Sequence, residues 1–159
     1  MSVHESWLNS IESYRSEVLR NTGISLQLPP PSLAELKLEY LKVEPGVTIR
    51  ARLPFLRKFT NPVGLYQGGF LSAAIDEVFG PLSYLTAGRP CMTLSMNVTF
   101  IRAFEEKMAH CLVDAVVVRK TTNLIFMRAD VLTQEGEMLA HAQSHVTILR
   151  EEQFKRAEK

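Results

Sequence analysis

Residues 61–80, NPVGLYQGGFLSAAIDEVFG, place two adjacent glycines seven and eight positions ahead of a carboxylate in otherwise apolar sequence. At a helix start, Gly68 and Gly69 leave backbone N–H groups uncovered at the positive end of the helix dipole, where a polarised carbonyl or an oxyanion is held. Asp76 lies among Phe70, Leu71, Ala73, Ala74, Ile75, Val78 and Phe79. An ionisable group in such surroundings ordinarily has a task or a partner. Together these residues offer an electrophile-binding turn and an acid or base.

Helical spacing decides which neighbours share the Asp76 face. Gly69, Ser72, Ala73, Asp76, Gly80 and Ser83 fall at i, i+3, i+4, i+7, i+11 and i+14, one small and polar stripe. Large apolar residues fill much of the remaining circumference, so the helix should be buried nearly all round, with the stripe left for a ligand or a partner backbone. The plainer alternative is close packing, in which small residues let a strand cross and Asp76 only caps or pairs. Glu77 is a rival acid about 100° away around the helix.

The elements that must position this helix are legible on either side. Residues 36–43 and 47–53 read as strands joined by a turn at Glu44, Pro45 and Gly46. The helix should begin near residues 67–69 and end at Gly88, Arg89 and Pro90, with Pro81 removing one backbone bond to Glu77. Strands are expected over 91–102, 109–120, 123–134 and 137–149. In the last, Ala140, Ala142, Ser144, Val146 and Ile148 share one face, and His141, Gln143, His145 and Thr147 the other. Ahead of these, Ser2 and Glu5 form a candidate capping box for an amphipathic helix carrying Trp7, Ile11, Tyr14 and Val18. Asn21, Thr22 and Gly23 end it, and Leu28, Pro29, Pro30, Pro31 and Ser32 make a stiff connector.

Composition narrows the classes. A chain of 159 residues with 46% hydrophobic content buries a sizeable core and is too short for two ordinary domains, so one domain over 1–159 is expected, with 1–32 a helical extension and connector. A formal charge of +1 provides no global field for nucleic acid or an anionic membrane. Cys91 and Cys111 lack metal or disulfide spacing, and the first residues lack a signal-peptide pattern, which together suggest a cytoplasmic protein. Charged residues and Pro81 interrupt the apolar runs, arguing against a membrane span. His141 and His145 share a strand face without a third ligand, so they read as exposed polar residues and no metal is expected.

Asn61, Gly64, Gly68, Gly69, Asp76 and Gly80, followed by MTLSMNVTFIRAF over 92–104, resemble the hotdog-fold thioesterase superfamily, particularly its phenylacetyl-CoA-type acyl-CoA thioesterases. The resemblance runs from about residue 33 to about residue 149. It implies an α+β hotdog fold, an antiparallel sheet wrapped around a long central helix, here with an extra N-terminal helix. It also implies hydrolysis of an acyl-CoA thioester, with CoA as part of the substrate and no separate cofactor. The Gly68 and Gly69 N–H groups would form the oxyanion hole, Asp76 would act as base or nucleophile, Asn61 would orient the loop or substrate, and Thr93 would lie near Asp76. The family's usual His before the glycines is Gln67 here, whose amide can orient an oxygen but cannot shuttle a proton near neutral pH.

For the CoA phosphates and adenine, Arg119 and Lys120 at a strand end, with Thr121 at the following turn, are the best local group, and Arg57 with Lys58 the next. Gly68 and Asp76 stand about 12 Å apart along one helix, too far to hold one carbonyl carbon between them. A homodimer sharing its sites is therefore expected, with a dimer of dimers left open. The alternative function is a non-catalytic acyl-CoA-binding or regulatory protein. A hotdog dehydratase or hydratase needs a His and acid pair, and none of His4, His110, His141 or His145 lies near the glycine turn in sequence.

Overall fold

The computed structural model describes residues 27–150 and, ahead of them, residues 3–7, 15–16 and 20. Ser2, Ile11, Tyr14 and Val18 of the expected amphipathic helix, its stop at Asn21, Thr22 and Gly23, and the tail from residue 151 lie outside the described residues. Residues 3–7 are helical, with Trp7 buried.

Six antiparallel strands form one sheet: β1 (Glu39–Glu44), β2 (Thr48–Pro54), β3 (Cys91–Phe100), β4 (His110–Lys120), β5 (Leu124–Leu132) and β6 (Met138–Ile148). Their order is β1-β2-β4-β5-β6-β3, which leaves β1 and β3 at the edges. Between residues 27 and 150 the sheet is accompanied by helix α1 (Pro31–Leu36) and the 20-residue helix α2 (Gly68–Ala87).

One expectation needs correction. The sequence reads residues 31 and 32 as part of a stiff connector and Leu36 as the start of the first strand, but Pro31–Leu36 forms α1 and the strand starts at Glu39. Pro31 stands at the first helical position, where its fixed φ suits the helix and its lacking N–H costs nothing. Leu33 and Leu36, one turn apart, both bury against the core, and Lys37 closes the helix in the left-handed region at φ 52°.

Helix α2 begins and ends where the glycines direct. Gln67 is its N-cap in extended conformation, and Gly88, at φ 68°, returns its N–H to the Tyr84 carbonyl at 2.8 Å. Leu71, Ala74, Ile75, Val78, Phe79 and Leu82 are buried toward the sheet. The sheet receives them on a row of alanines: Ala115, Ala129 and Ala142 are cross-strand partners on β4, β5 and β6, each fully buried. Small side chains there let the large apolar face of the helix sit close. On β6 the alternation is as expected, with Ala140, Ala142, Ser144, Val146 and Ile148 all buried.

Single-residue bulges interrupt the alternation of the strands at Leu41, Leu94, Val118 and Leu139. The β3 bulge matters most for the site. Met96, Val98 and Phe100 pair with Ser144, Ala142 and Ala140 on the helix side of the sheet, so strict alternation would turn Thr93 outward. With Leu94 set out of register, Thr93 pairs with Val146 and faces the helix.

The other sheet face is polar. Arg50 binds Asp114 through two bonds of 2.6 Å, and His141 Nδ1 lies 2.7 Å from Asp130 Oδ1. His145 meets Ser95 Oγ at 3.2 Å and packs edge-on against Phe126, so the two histidines have separate partners.

Candidate active site

The start of α2 is built by its own loop. Asn61 Oδ1 accepts the N–H groups of Val63 and Leu65 at 3.1 and 3.0 Å, while Asn61 N–H donates to Leu65 O at 2.8 Å. Gly64, at φ 81°, closes the turn onto Asn61 O. The next two residues are fastened to more distant chain, Tyr66 N–H to Phe104 O at 3.1 Å and Gln67 N–H to Phe59 O at 2.9 Å. Phe70 and Leu71 N–H groups then both reach Gln67 O at 3.1 Å. The N–H groups of Gly68 and Gly69 precede any intrahelical acceptor and point out of the helix end. Gln67 is exposed and its side chain does not cap the helix, which leaves the amide for a ligand.

The two glycines differ in their surroundings. A Cβ on Gly69 would meet nothing within 4 Å, whereas one on Gly68 would lie 2.9 Å from the tip of the Phe100 ring. Phe59 and Phe70 stack at 4.2 Å beside them, and behind lies Phe55, packed edge-on against both Tyr66 and Phe104, which are tilted against each other. Among the apolar residues of the loop and of α2, Tyr66 and Leu82 are buried in the core, while Phe70 is exposed and Leu65, Tyr84 and Leu85 are half-buried. Phe59 and Phe100 were missed. Phe100 comes over Gly68 only through the packing of β3, and Phe59 reaches Phe70 only through the loop, so no local pattern marks them.

Asp76 occupies the exposed side of the helix, and Thr93 Oγ1 donates to its Oδ1 at 3.1 Å. Gly69, Ala73 and Asp76 are exposed and Ser72 and Gly80 half-exposed, so the small-residue stripe opens to solvent beside β3; Ser83 alone is buried. Glu77 is turned elsewhere. Ser32 Oγ of α1 donates to its carboxylate, and burial pushes that carboxyl above its usual range, with the Asp76 charge adding to the shift and the Ser32 bond opposing it.

The cationic group sits toward the far end of the helix. Lys120 Nζ donates to Thr86 O at 2.8 Å, a cation on the negative end of the helix dipole. Thr121 folds the β4–β5 turn, its Oγ1 accepting Leu124 N–H at 3.0 Å, and Arg119 is exposed next to it. Thr86 is ten residues past Asp76, about 15 Å along the axis. The second cation pair is engaged, Arg57 with Glu106 at 2.6 Å and Lys58 with Glu35.

No family model matches the chain, and no curated protein matches it in sequence. Solved structures do. A phenylacetic acid degradation-related protein of Ralstonia eutropha JMP134 is 26% identical over 85% of this chain and 99% of its own, with a TM-score of 0.69. The Escherichia coli PaaI protein, from the phenylacetic acid degradation operon, is 11% identical over 90% of this chain and 96% of its own, with a TM-score of 0.71. A Streptococcus mutans UA159 protein bound to acetyl-CoA is 18% identical over 70% of this chain and 88% of its own, with a TM-score of 0.66. With one long helix laid on six antiparallel strands in this order, the chain has the hotdog fold, and its structural neighbours include hotdog-fold thioesterases of the phenylacetic acid degradation type.

Proposed function

We propose that the protein hydrolyses an acyl-CoA thioester to a free acid and CoA. The observation that carries this reading is the Asp76 carboxylate, held by Thr93 on the open small-residue stripe of the helix whose glycine start presents free N–H groups. The Gly68 and Gly69 N–H groups, with the Gln67 amide, would take the thioester oxygen as negative charge develops on it. As a base, Asp76 removes a proton from water while the water oxygen bonds the carbonyl carbon. The C–S bond then breaks, and the proton leaves with the CoA thiol. As a nucleophile, its carboxylate oxygen bonds the carbonyl carbon and the C–S bond breaks to release CoA thiolate, leaving a mixed anhydride that water opens to the free acid and the restored carboxylate, with water's second proton going to the thiolate. The likeness to the S. mutans protein bound to acetyl-CoA supports the choice of ligand.

The site is completed by a second copy. Edge strand β3 runs beside Asp76 with unpaired backbone groups on its outer side, and Met92, Leu94 and Phe100 on it, with Ile101 just after, are each more than half exposed. Two-fold pairing through this edge would cover those residues and set Asp76 of one subunit opposite the glycine turn of the other, removing the 12 Å difficulty. Arg119, Lys120 and Thr121 would then serve the phosphates and adenine. Among the described residues no helix is long and apolar enough to cross a membrane. Both cysteines are free thiols, which supports a cytoplasmic location.

A second reading, an acyl-CoA-binding protein without turnover, is favoured by one residue, Gln67 in place of a proton-carrying His. Thiol release from short, medium, long and aromatic acyl-CoAs, compared between the native protein and Asp76→Asn, separates the two. The expected result is turnover in the native protein that falls by about 100-fold or more in the variant. Binding without thiol release in the native protein would establish the second reading.

A further inference from the structure

Pro81 lies within α2. A proline there has no N–H to donate to the carbonyl four residues back, and its ring crowds that carbonyl. The orphaned acceptor is Glu77 O, one residue after Asp76. It is not left bare. Tyr40 Oη, from β1, donates to Glu77 O at 2.9 Å.

Several features aim the Tyr40 hydroxyl. The Leu41 bulge lets Tyr40 and Val43 both face the core, paired with Ala51 and Ile49, although they differ in parity along the strand. Trp7 packs edge-on against the Tyr40 ring at 5.6 Å, His4 stacks on it at 5.8 Å, and His4 Nδ1 accepts the Tyr40 N–H at 3.2 Å. Tyr40 is 2% exposed. Burial raises its phenol well above the usual tyrosine range, so it stays protonated and donating at every working pH.

We propose that Tyr40 is a positioning residue for Asp76, its hydroxyl replacing the backbone bond that Pro81 removes and holding the helical turn that carries the carboxylate opposite Thr93. Glu77 O is the acceptor of the turn directly after Asp76. Without a donor it would draw in water or twist away from the Pro81 ring, and Asp76 would turn with it. The inference rests on the role given to Asp76 above, and its test separates the two.

The test pairs two substitutions. Tyr40→Phe removes only the hydroxyl; Pro81→Ala restores the backbone donor to Glu77 O. Expected is a fall in kcat of about tenfold in Tyr40→Phe with KM unchanged, since a small misplacement of a reacting group is enough for this. Near-native kcat is expected in Pro81→Ala, because a carbonyl accepts two bonds. The double variant should recover to within about twofold of native. Unchanged kcat in Tyr40→Phe, or a fall that Pro81→Ala does not repair, would overturn the proposal, the second result meaning that Tyr40 acts by packing alone.

Amide hydrogen exchange over residues 71–82 is read on the same proteins and needs no turnover. It should be faster in Tyr40→Phe and return to the native rate in the double variant; identical rates throughout would overturn the proposal. If Asp76→Asn hydrolyses normally while exchange follows the expected pattern, the role of Asp76 has failed and the turn-holding bond has not.

Discussion

The two ends of the candidate site are made in opposite ways. At the start of α2, Asn61 and Gly64 shape the turn through bonds within a few residues, two of them to the Asn61 side chain, and Tyr66 and Gln67 fasten it to Phe104 and Phe59. Two turns on, Asp76 and Glu77 are held by side chains from far along the chain, Thr93 at a separation of 17 residues, Tyr40 at 37 and Ser32 at 45. The electrophile-binding end is therefore a local motif, and the acid end is a product of packing. A local motif keeps its shape when distant contacts loosen, so damage elsewhere in the fold should reach Asp76 first.

The largest expected effect tests the local end. A Cβ on Gly69 meets nothing within 4 Å outside its own helix turn, so Gly69→Ala should fold and melt like the native protein. The same methyl stands where the thioester oxygen must approach the N–H groups, and kcat should fall on the order of 100-fold. Native kcat with an intact fold would show that the turn binds no oxyanion and would undo the comparison at its stronger side.

Thr93→Val tests the distant end. The substitution keeps the shape and removes the donor to Asp76, and kcat should drop by several-fold to about tenfold, with Thr93→Ser restoring most of it. Equal activity in the Val and Ser variants would mean that Thr93 only fills space.

The smallest effect is a pH dependence at Glu77. Burial first, and then the Asp76 charge, raise its carboxyl in the folded protein against the opposing Ser32 bond. The native state therefore holds its proton to higher pH than the unfolded chain does, and stability declines as pH rises from the ordinary carboxylate value through the raised one. Glu77→Gln keeps an acceptor for Ser32 and removes the titration. In urea unfolding its stability relative to the native protein should rise as pH climbs above the ordinary carboxylate value, then level off once Glu77 is ionised in the folded protein. A difference that stays flat with pH would place Glu77 in water rather than against α1.

Much of the fold was legible because its signals are local. Apolar spacing marked α2, Gly88 marked its end, and the alternation of Ala140 to Ile148 gave the buried face of β6. The short α1 was not legible, since three prolines read as a connector when the burial of Leu33 and Leu36 is unknown. Thr93 beside Asp76 could be placed only by resemblance, because strict alternation turns it outward and the Leu94 bulge turns it in.

The residues with chemical capacity and the helix that bears them are legible in the chain alone: glycines at the helix start, one carboxylate on a small-residue stripe, and a proline that must cost the helix one bond. Local φ and ψ preferences and the 3.6-residue period suffice for that. Tertiary structure alone decided which partners those residues meet, Tyr40 for the bond lost at Pro81, Phe100 over Gly68, Ser32 for Glu77. Such pairs depend on strand order and on bulges at Leu41 and Leu94, each of which reverses the side to which every later residue of its strand points.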